Sequence, residues 1–346
     1  MIRVGLNGFG RIGRAITRII SNSNDINLIA VNDIDDDTEN LTYLLKYDTT
    51  YGKFTKSLKL KNKNNLLINN NNIHFYSESL IDKVPWHKHK IDLVIDASGV
   101  EQNVINSKKI LSDELRKVII THSPDQNIDH TIIMGVNEES YDHKKHDVIS
   151  SSICDASALG PILSELHKNF EVESGFITTL HPRLSYQNLL DGSLKSVSNP
   201  GHNWKDYSLG RDSITNLIPK KTTAVKAVTK CLNNLENKIL GISFRIPTSI
   251  VCASDLTIKV KTKVDNQAIS NLFKKLSSTK KNIFEYQTER LVSSDHLGTS
   301  KSVIIDSNFI DVIDANLIKM IIWYDNEWGY SNRVVDIAKY VLSKKN

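Results

Sequence analysis

Ile2-Arg3-Val4-Gly5-Leu6-Asn7-Gly8-Phe9-Gly10-Arg11-Ile12-Gly13 is the stretch that decides the fold. Residues 2–7 read as a short buried strand, residues 8–13 as a turn, and Arg14 to Ile20 as the start of a helix with apolar residues at helical spacing. The turn fits G-x-G-x-x-G. Its first glycine makes the tight bend, its second lets the backbone approach a pyrophosphate, and its third lets helix and strand pack closely. Backbone N–H groups at the helix N-terminus then bind phosphate. Asp33 closes the next strand, about 20 residues on, where a carboxylate accepts hydrogen bonds from the adenosine ribose and repels the extra phosphate of NADP. A strand–turn–helix with this aspartate predicts a Rossmann-type dinucleotide site that favours NAD.

Outward from that turn, Ile26 to Asn32 reads as a second buried strand and Leu41 to Tyr47 as a helix. Between Ser57 and Phe75, Asn-rich turns separate short apolar runs, which suggests hairpins. Ile91 to Ile95 and Val118 to Ile120 are further β-branched strands. Alternation of strands and helices implies a mostly parallel sheet. After Ser152 the pattern changes. Ala158 to Asn169 is helical, whereas Gly175 to Leu180, Ser243 to Ile246 and Cys252 to Val264 read as strands. Longer alternating strands with few crossover helices predict an antiparallel sheet in a second, α+β domain. A helical pattern from Ser331 to Lys344 follows. Cys231 reads as helical and Cys252 as part of a strand, both as small core residues.

The chain has 346 residues, enough for two domains of ordinary size. Its net charge of +5 is modest, and no basic run with interleaved aromatics occurs, so an enzyme acting on small anions is expected rather than a nucleic-acid binder. No apolar run approaches the ~20 residues of a membrane-spanning helix, and the N-terminus lacks a signal-peptide layout, so a cytoplasmic protein without membrane partners is expected. Three widely spaced cysteines, Cys154, Cys231 and Cys252, fit neither a disulfide framework nor a zinc knuckle, and no metal is expected. Apart from His181, the histidines form no recognisable cluster and are expected at the surface.

Several blocks, in order, resemble the glyceraldehyde-3-phosphate dehydrogenase family: Gly5 to Arg14, Asn32-Asp33, Leu44-Leu45-Lys46-Tyr47-Asp48 with Gly52, Gly135-Val136-Asn137, Phe244 to Thr248, and above all Trp323-Tyr324-Asp325-Asn326-Glu327-Trp328-Gly329-Tyr330-Ser331-Asn332-Arg333. The resemblance implies an NAD(P)-binding Rossmann domain over residues 1–152, completed by a C-terminal helix over 328–346, a catalytic domain over 153–327, and a homotetramer. It aligns Cys154 with the family's nucleophile and His181 with its base. A thiolate favoured by a neighbouring imidazolium and a helix N-terminus would attack an aldehyde, and the histidine would take the hydroxyl proton. By the same resemblance Asn7, Gly8, Phe9, Gly10, Arg11, Ile12, Gly13, Asp33, Ser98, Gly99 and Thr121 line the cofactor groove, with Asn326 at the nicotinamide carboxamide and Tyr330 nearby. Thr222, Thr223 and Arg245 fall on substrate-binding positions.

The chain departs from the family pattern in three places. Cys154 is followed by Asp155 where the family has hydroxyls that help to bind phosphate; a carboxylate ~4 Å from an incoming anion costs about 4 kcal/mol at an effective dielectric of about 20. Leu184 and Tyr186 stand where the family holds substrate phosphate with hydroxyl or carboxyl side chains, and Arg183 offers a replacement cation. The segment from Asp191 to Arg211 is longer than its counterpart and carries Lys195, Pro200-Gly201-His202-Asn203-Trp204-Lys205 and, near its start, Ser193, which leaves NADP open. The sequence therefore predicts NAD-dependent oxidation of a short phosphorylated hydroxyaldehyde. The alternatives are hydrolytic release, as in erythrose-4-phosphate dehydrogenases, or a non-catalytic NAD-binding regulatory paralogue.

Overall fold

The computed structural model describes residues 1–193 and 206–344, so Lys195 and the run from Pro200 to Lys205 lie outside the described residues. The chain divides into two units: residues 1–153 with 330–346, and residues 154–329.

The first unit is built on a nine-stranded sheet. Its order is His130–Thr131, Val148–Ser150, Lys117–Ile120, Leu93–Asp96, Ile2–Asn7, Ile26–Asn32, Asn71–Tyr76, Asn65–Ile68 and Leu58–Asn62. The strands from His130–Thr131 through Asn71–Tyr76 pair in parallel, and the last three form two antiparallel hairpins. The central strands are buried along their length, which is why they read as continuous Val/Ile/Leu runs rather than as alternating ones. One core cluster gathers Ile29, Val94, Val118 and Val148 around Trp86, whose indole N–H donates to the Ile81 carbonyl at 2.9 Å. The Asn-rich segment serves turns: Asn69 adopts a left-handed φ of 53°, and Asn62 accepts from the Asn64 amide.

The second unit carries a seven-stranded sheet in the order Ile218–Lys221, Ile239–Ile246, Val172–Pro182, Cys252–Val260, Leu317–Tyr324, Val303–Ile313 and Phe284–Gln287. It is mixed rather than purely antiparallel, because Val172–Pro182 runs parallel to Ile239–Ile246 and Phe284–Gln287 runs parallel to Val303–Ile313. Helices Ala224–Thr229 and Asn266–Thr279 supply connecting chain that the strand pattern alone did not weigh.

Four readings of the sequence shift. The helix after the glycine turn begins at Arg11, not Arg14, since its first turn carries little apolar signal. The helix expected from Ala158 begins at Cys154, which makes the cysteine the first helical residue. Cys231 lies past the end of Ala224–Thr229 and is only half-buried, whereas Cys252 is fully buried. The histidines are not uniformly superficial: His296 is buried and stacks on Trp323, and His74–His89 and His130–His146 form stacked pairs.

Candidate active site

In the first unit, the glycine turn is held by backbone geometry. Gly8 has φ +96°, and a Cβ there would lie 2.7 Å from the Ala97 carbonyl carbon. A Cβ on Gly13 would lie 2.1 Å from the Gly8 carbonyl oxygen, while one on Gly10 would meet nothing within 4 Å. Gly8 thus lets the turn lie against the chain at Ala97 and Ser98, Gly13 closes the turn on itself, and Gly10 faces open space, as a cradle for a pyrophosphate requires. Helix Arg11–Ile20 has no side-chain cap at Gly10 and no acidic residue in its first turn, so no carboxylate of that turn opposes an anion at its N-terminus. Asp33 packs against the turn and accepts from the Phe9 amide at 2.5 Å.

Beneath the turn lies a buried polar chain that the motif does not encode. Asn32 Nδ2 donates to Asn7 Oδ1 at 2.7 Å, Asn7 Nδ2 donates to Asp96 Oδ1 at 2.9 Å, and Ser98 Oγ donates to the same oxygen at 2.6 Å. Asp96 is completely buried, which raises its carboxyl pKa. The Thr121 hydroxyl donates to the Asp96 carbonyl at 3.0 Å, and Gly99 takes a left-handed φ of 69°. Tyr330 is buried, with its hydroxyl 2.7 Å from the Thr121 carbonyl and 3.0 Å from that of Ser152. Its polar tip is thus engaged by the first unit's own backbone. Arg11 pairs with Asp48 at 2.5 Å, and Ile12 is half-buried in the first helical turn.

The second unit holds the thiol. Cys154 opens helix Cys154–Phe170 directly after Ser152, whose φ of 60° is unusual for a residue with a side chain. His181 lies near the end of strand Val172–Pro182. Its Nε2 is 3.9 Å from Cys154 Sγ, and its Nδ1 is 2.7 Å from the Pro182 carbonyl. A carbonyl only accepts, so Nδ1 carries the proton and Nε2 presents its lone pair to the thiol. Asp155 Oδ1 is 3.7 Å from Cys154 Sγ and accepts from the Tyr324 hydroxyl at 2.7 Å. Tyr324 sits inside the quoted Trp323 to Arg333 block but was not singled out as a site residue, because nothing in that block says which side chain it meets.

Electrostatics oppose a resting thiolate–imidazolium pair. Burial pushes the Cys154 thiol well above its usual value, and the charge of Asp155 pushes it further, with Arg245 opposing. Burial, with Arg245 second, pulls His181 down to about 4. Both shifts favour the neutral thiol and the neutral imidazole, with Nε2 turned to the sulfur. A partial positive charge at the helix N-terminus favours the thiolate when the proton moves.

Of the expected anion ligands, Arg245 is 7 % exposed and donates to the Tyr186 hydroxyl at 3.3 Å, while its Nε and Nη1 are buried without a partner. Lys220, on the neighbouring strand Ile218–Lys221, is brought down to about 8 by burial and then by Arg245. Thr222 is half-buried and its Oγ1 caps the next helix by accepting from the Ala224 amide at 3.0 Å; Thr223 is exposed. Arg183 is half-buried, and its amide donates to the Thr248 carbonyl. Asn326 is buried with its Oδ1 unpartnered. The second unit thus gathers a thiol, an imidazole with its Nε2 turned to it, and a guanidinium with two unpartnered nitrogens, an arrangement that could serve covalent attack on a carbonyl compound.

The family model described as the NAD binding domain of glyceraldehyde 3-phosphate dehydrogenase matches residues 2–104, and the model of its C-terminal domain matches residues 153–326. The chain is 37 % identical over 347 residues to glyceraldehyde-3-phosphate dehydrogenase 2 of Nostoc sp., with 99 % of both chains covered. It is 36 % identical to the Geobacillus stearothermophilus glyceraldehyde-3-phosphate dehydrogenase, again over 99 % of both. It is 35 % identical to a chloroplastic glyceraldehyde-3-phosphate dehydrogenase of Arabidopsis thaliana, over 98 % of this chain and 78 % of that one. The chain belongs to the glyceraldehyde-3-phosphate dehydrogenase family of NAD-dependent aldehyde dehydrogenases, with both the NAD-binding and the C-terminal domain present.

Proposed function

We propose that this chain oxidises a short anionic hydroxyaldehyde, glyceraldehyde 3-phosphate or a close analogue, through a covalent adduct on Cys154. The observation that carries the reading is the approach of His181 Nε2 to Cys154 Sγ, with Nδ1 committed to the Pro182 carbonyl. His181 takes the thiol proton, sulfur attacks the carbonyl carbon, and a thiohemiacetal forms. His181 passes that proton to the alkoxide formed in the attack and, neutral again, takes it back from the adduct's hydroxyl as hydride leaves the same carbon. NAD would be held by the Gly8–Gly13 turn and Asp33 and would supply the hydride acceptor. The acyl group remains on Cys154 as a thioester. Arg245, assisted by Arg183 and Thr222, holds the substrate's anionic group; Tyr186 narrows that subsite. NAD is the favoured cofactor through Asp33, with NADP the second choice.

A second reading concerns release of the thioester. Asp155 follows Cys154 immediately and is held against it by Tyr324, so its carboxylate borders the path of an attacking anion. Water, which is neutral, escapes that repulsion, and hydrolysis then replaces phosphorolysis. NADH formation from glyceraldehyde 3-phosphate with and without inorganic phosphate tests both readings. A strict phosphate requirement removes hydrolysis, phosphate-independent turnover removes phosphorolysis, and no turnover with any short aldehyde removes the enzymatic reading.

We also infer a homotetramer. Phe176, Leu240 and Ile242 are more than half exposed on adjacent paired strands of the second sheet, an apolar face of the kind that a second copy covers. Light scattering that returns a monomer mass overturns this.

A further inference from the structure

Cys154, Asp155 and His181 place one sulfur, one carboxylate oxygen and one imidazole nitrogen within 4.8 Å of one another. The distances from Sγ are 3.7 Å to Asp155 Oδ1 and 3.9 Å to His181 Nε2. Around a tetrahedral zinc ion, with Zn–S about 2.3 Å and Zn–N or Zn–O about 2.0–2.1 Å, such atoms lie about 3.6 Å apart. The two pairs that include the sulfur thus lie within a few tenths of an ångström of that spacing, and the carboxylate oxygen and imidazole nitrogen lie within 4.8 Å of each other.

We propose that these three side chains form a site for a thiophilic divalent cation of the Zn(II) class, which silences the nucleophile while it is bound. The supporting contacts are already in place. The Nδ1–H of His181 is fixed on the Pro182 carbonyl, the contact that orients a metal-bound imidazole, and Nε2 is turned to the sulfur. Asp155 is braced from the other side by the Tyr324 hydroxyl. His181 and Asp155 are buried, at 4 % and 8 % exposed, whereas Cys154 is half-buried and gives the ion a way in. Thiolate plus carboxylate supply two negative charges to a divalent ion. Arg245 and Lys220 oppose it, which keeps the site reversible rather than structural.

Binding forms a metal–sulfur bond and breaks the S–H bond; the proton leaves to buffer, nothing is oxidised, and the fourth position is left to water. A thiolate in the set selects zinc-like ions over magnesium or calcium, which prefer all-oxygen sites. Asp155 is the decisive member. With Cys154 and His181 alone the ion has two protein ligands, and the third comes from a carboxylate at the place where the family resemblance leads one to expect a hydroxyl.

The test uses the full chain stripped of metal with a chelator. Competition against a chromogenic zinc chelator should return one Zn(II) per chain. Co(II) should give intense tetrahedral d–d bands and a sulfur-to-metal charge-transfer band in the near ultraviolet. Cys154→Ser should abolish the charge-transfer band, Asp155→Asn should weaken Zn(II) binding about 100-fold or more, and Cys231→Ser should change neither. Zn(II) should raise the melting temperature of the wild type but not of Asp155→Asn, a readout in which each folded protein is its own control. The proposal is overturned if Zn(II) binds equally well to Asp155→Asn, if the band follows Cys231, or if no Zn(II) binds at micromolar concentration. These readouts are independent of turnover, so failure of the proposed activity and failure of the metal site are separate results.

Discussion

The glycine turn of the first unit and the Cys154 cluster of the second are specified in different ways. At the turn, what matters is the absence of atoms: Gly8 and Gly13 leave no room for a Cβ, and Gly10 leaves space for a ligand. At Cys154, what matters is which side chains arrive from distant parts of the chain. His181 comes from a strand 27 residues on, and Tyr324 from 169 residues beyond Asp155. A site made of missing atoms is readable as a motif. A site made of convergent side chains is readable only where a resemblance supplies the convergence.

The largest effect should come from breaking the second region. Cys154→Ser should lower NADH formation by at least about 10³-fold, and His181→Asn by about 10²–10⁴-fold. Steady-state NADH absorbance with the aldehyde measures both, and NAD binding should be unaltered in each. If His181→Asn leaves the rate within a factor of two, the base is elsewhere.

The converse change breaks the first region. Gly13→Ala sets a Cβ 2.1 Å from the Gly8 carbonyl oxygen, and overpacking of this kind costs about 1–3 kcal/mol. We expect a lower melting temperature and weaker NAD binding by calorimetry, with thiol reactivity of Cys154 unchanged. Gly10→Ala meets nothing in the protein, so it should leave stability nearly unchanged and weaken NAD alone.

His181 sharpens the comparison through pH. Its folded value is about 4 against an ordinary 6.5. Above pH 6.5 it is neutral in both folded and unfolded chains. As pH falls from 6.5 toward 4, the unfolded chain takes the proton first. Stability present at neutral pH is therefore lost across that window, by roughly 3 kcal/mol. Urea midpoints at pH 7.5 and 4.5 should draw together in His181→Asn relative to the wild type; an equal pH dependence in both removes this group as the cause.

The smallest expected change is in acyl release. Asp155→Thr removes the charge beside Cys154 and should raise the stimulation of NADH formation by inorganic phosphate several-fold, while NADH formation without phosphate stays within about threefold. No change in phosphate response would show that the Asp155 carboxylate does not face the attacking anion.

By itself, the sequence determined the Rossmann-type first domain and the dinucleotide turn with Asp33, and, through the resemblance its blocks carry, the family and the expected pairing of Cys154 with His181. These follow from short-range features, namely glycine spacing, strand and helix periodicity, and blocks that survive intact. Even there its reach had edges. Periodicity placed two helix starts late, at Arg14 and Ala158 instead of Arg11 and Cys154, because first turns carry few apolar residues. Only the tertiary structure decided that the second sheet is mixed, that Asp96 is buried beneath the glycine turn, and that Tyr186 caps Arg245. It also decided that Asp155, adjacent in sequence to the nucleophile, is braced by Tyr324 into a cluster with His181. The reason is physical. Local spacing encodes which backbone conformations and faces are possible, but charge, desolvation and ligand geometry depend on distances between residues far apart in the chain.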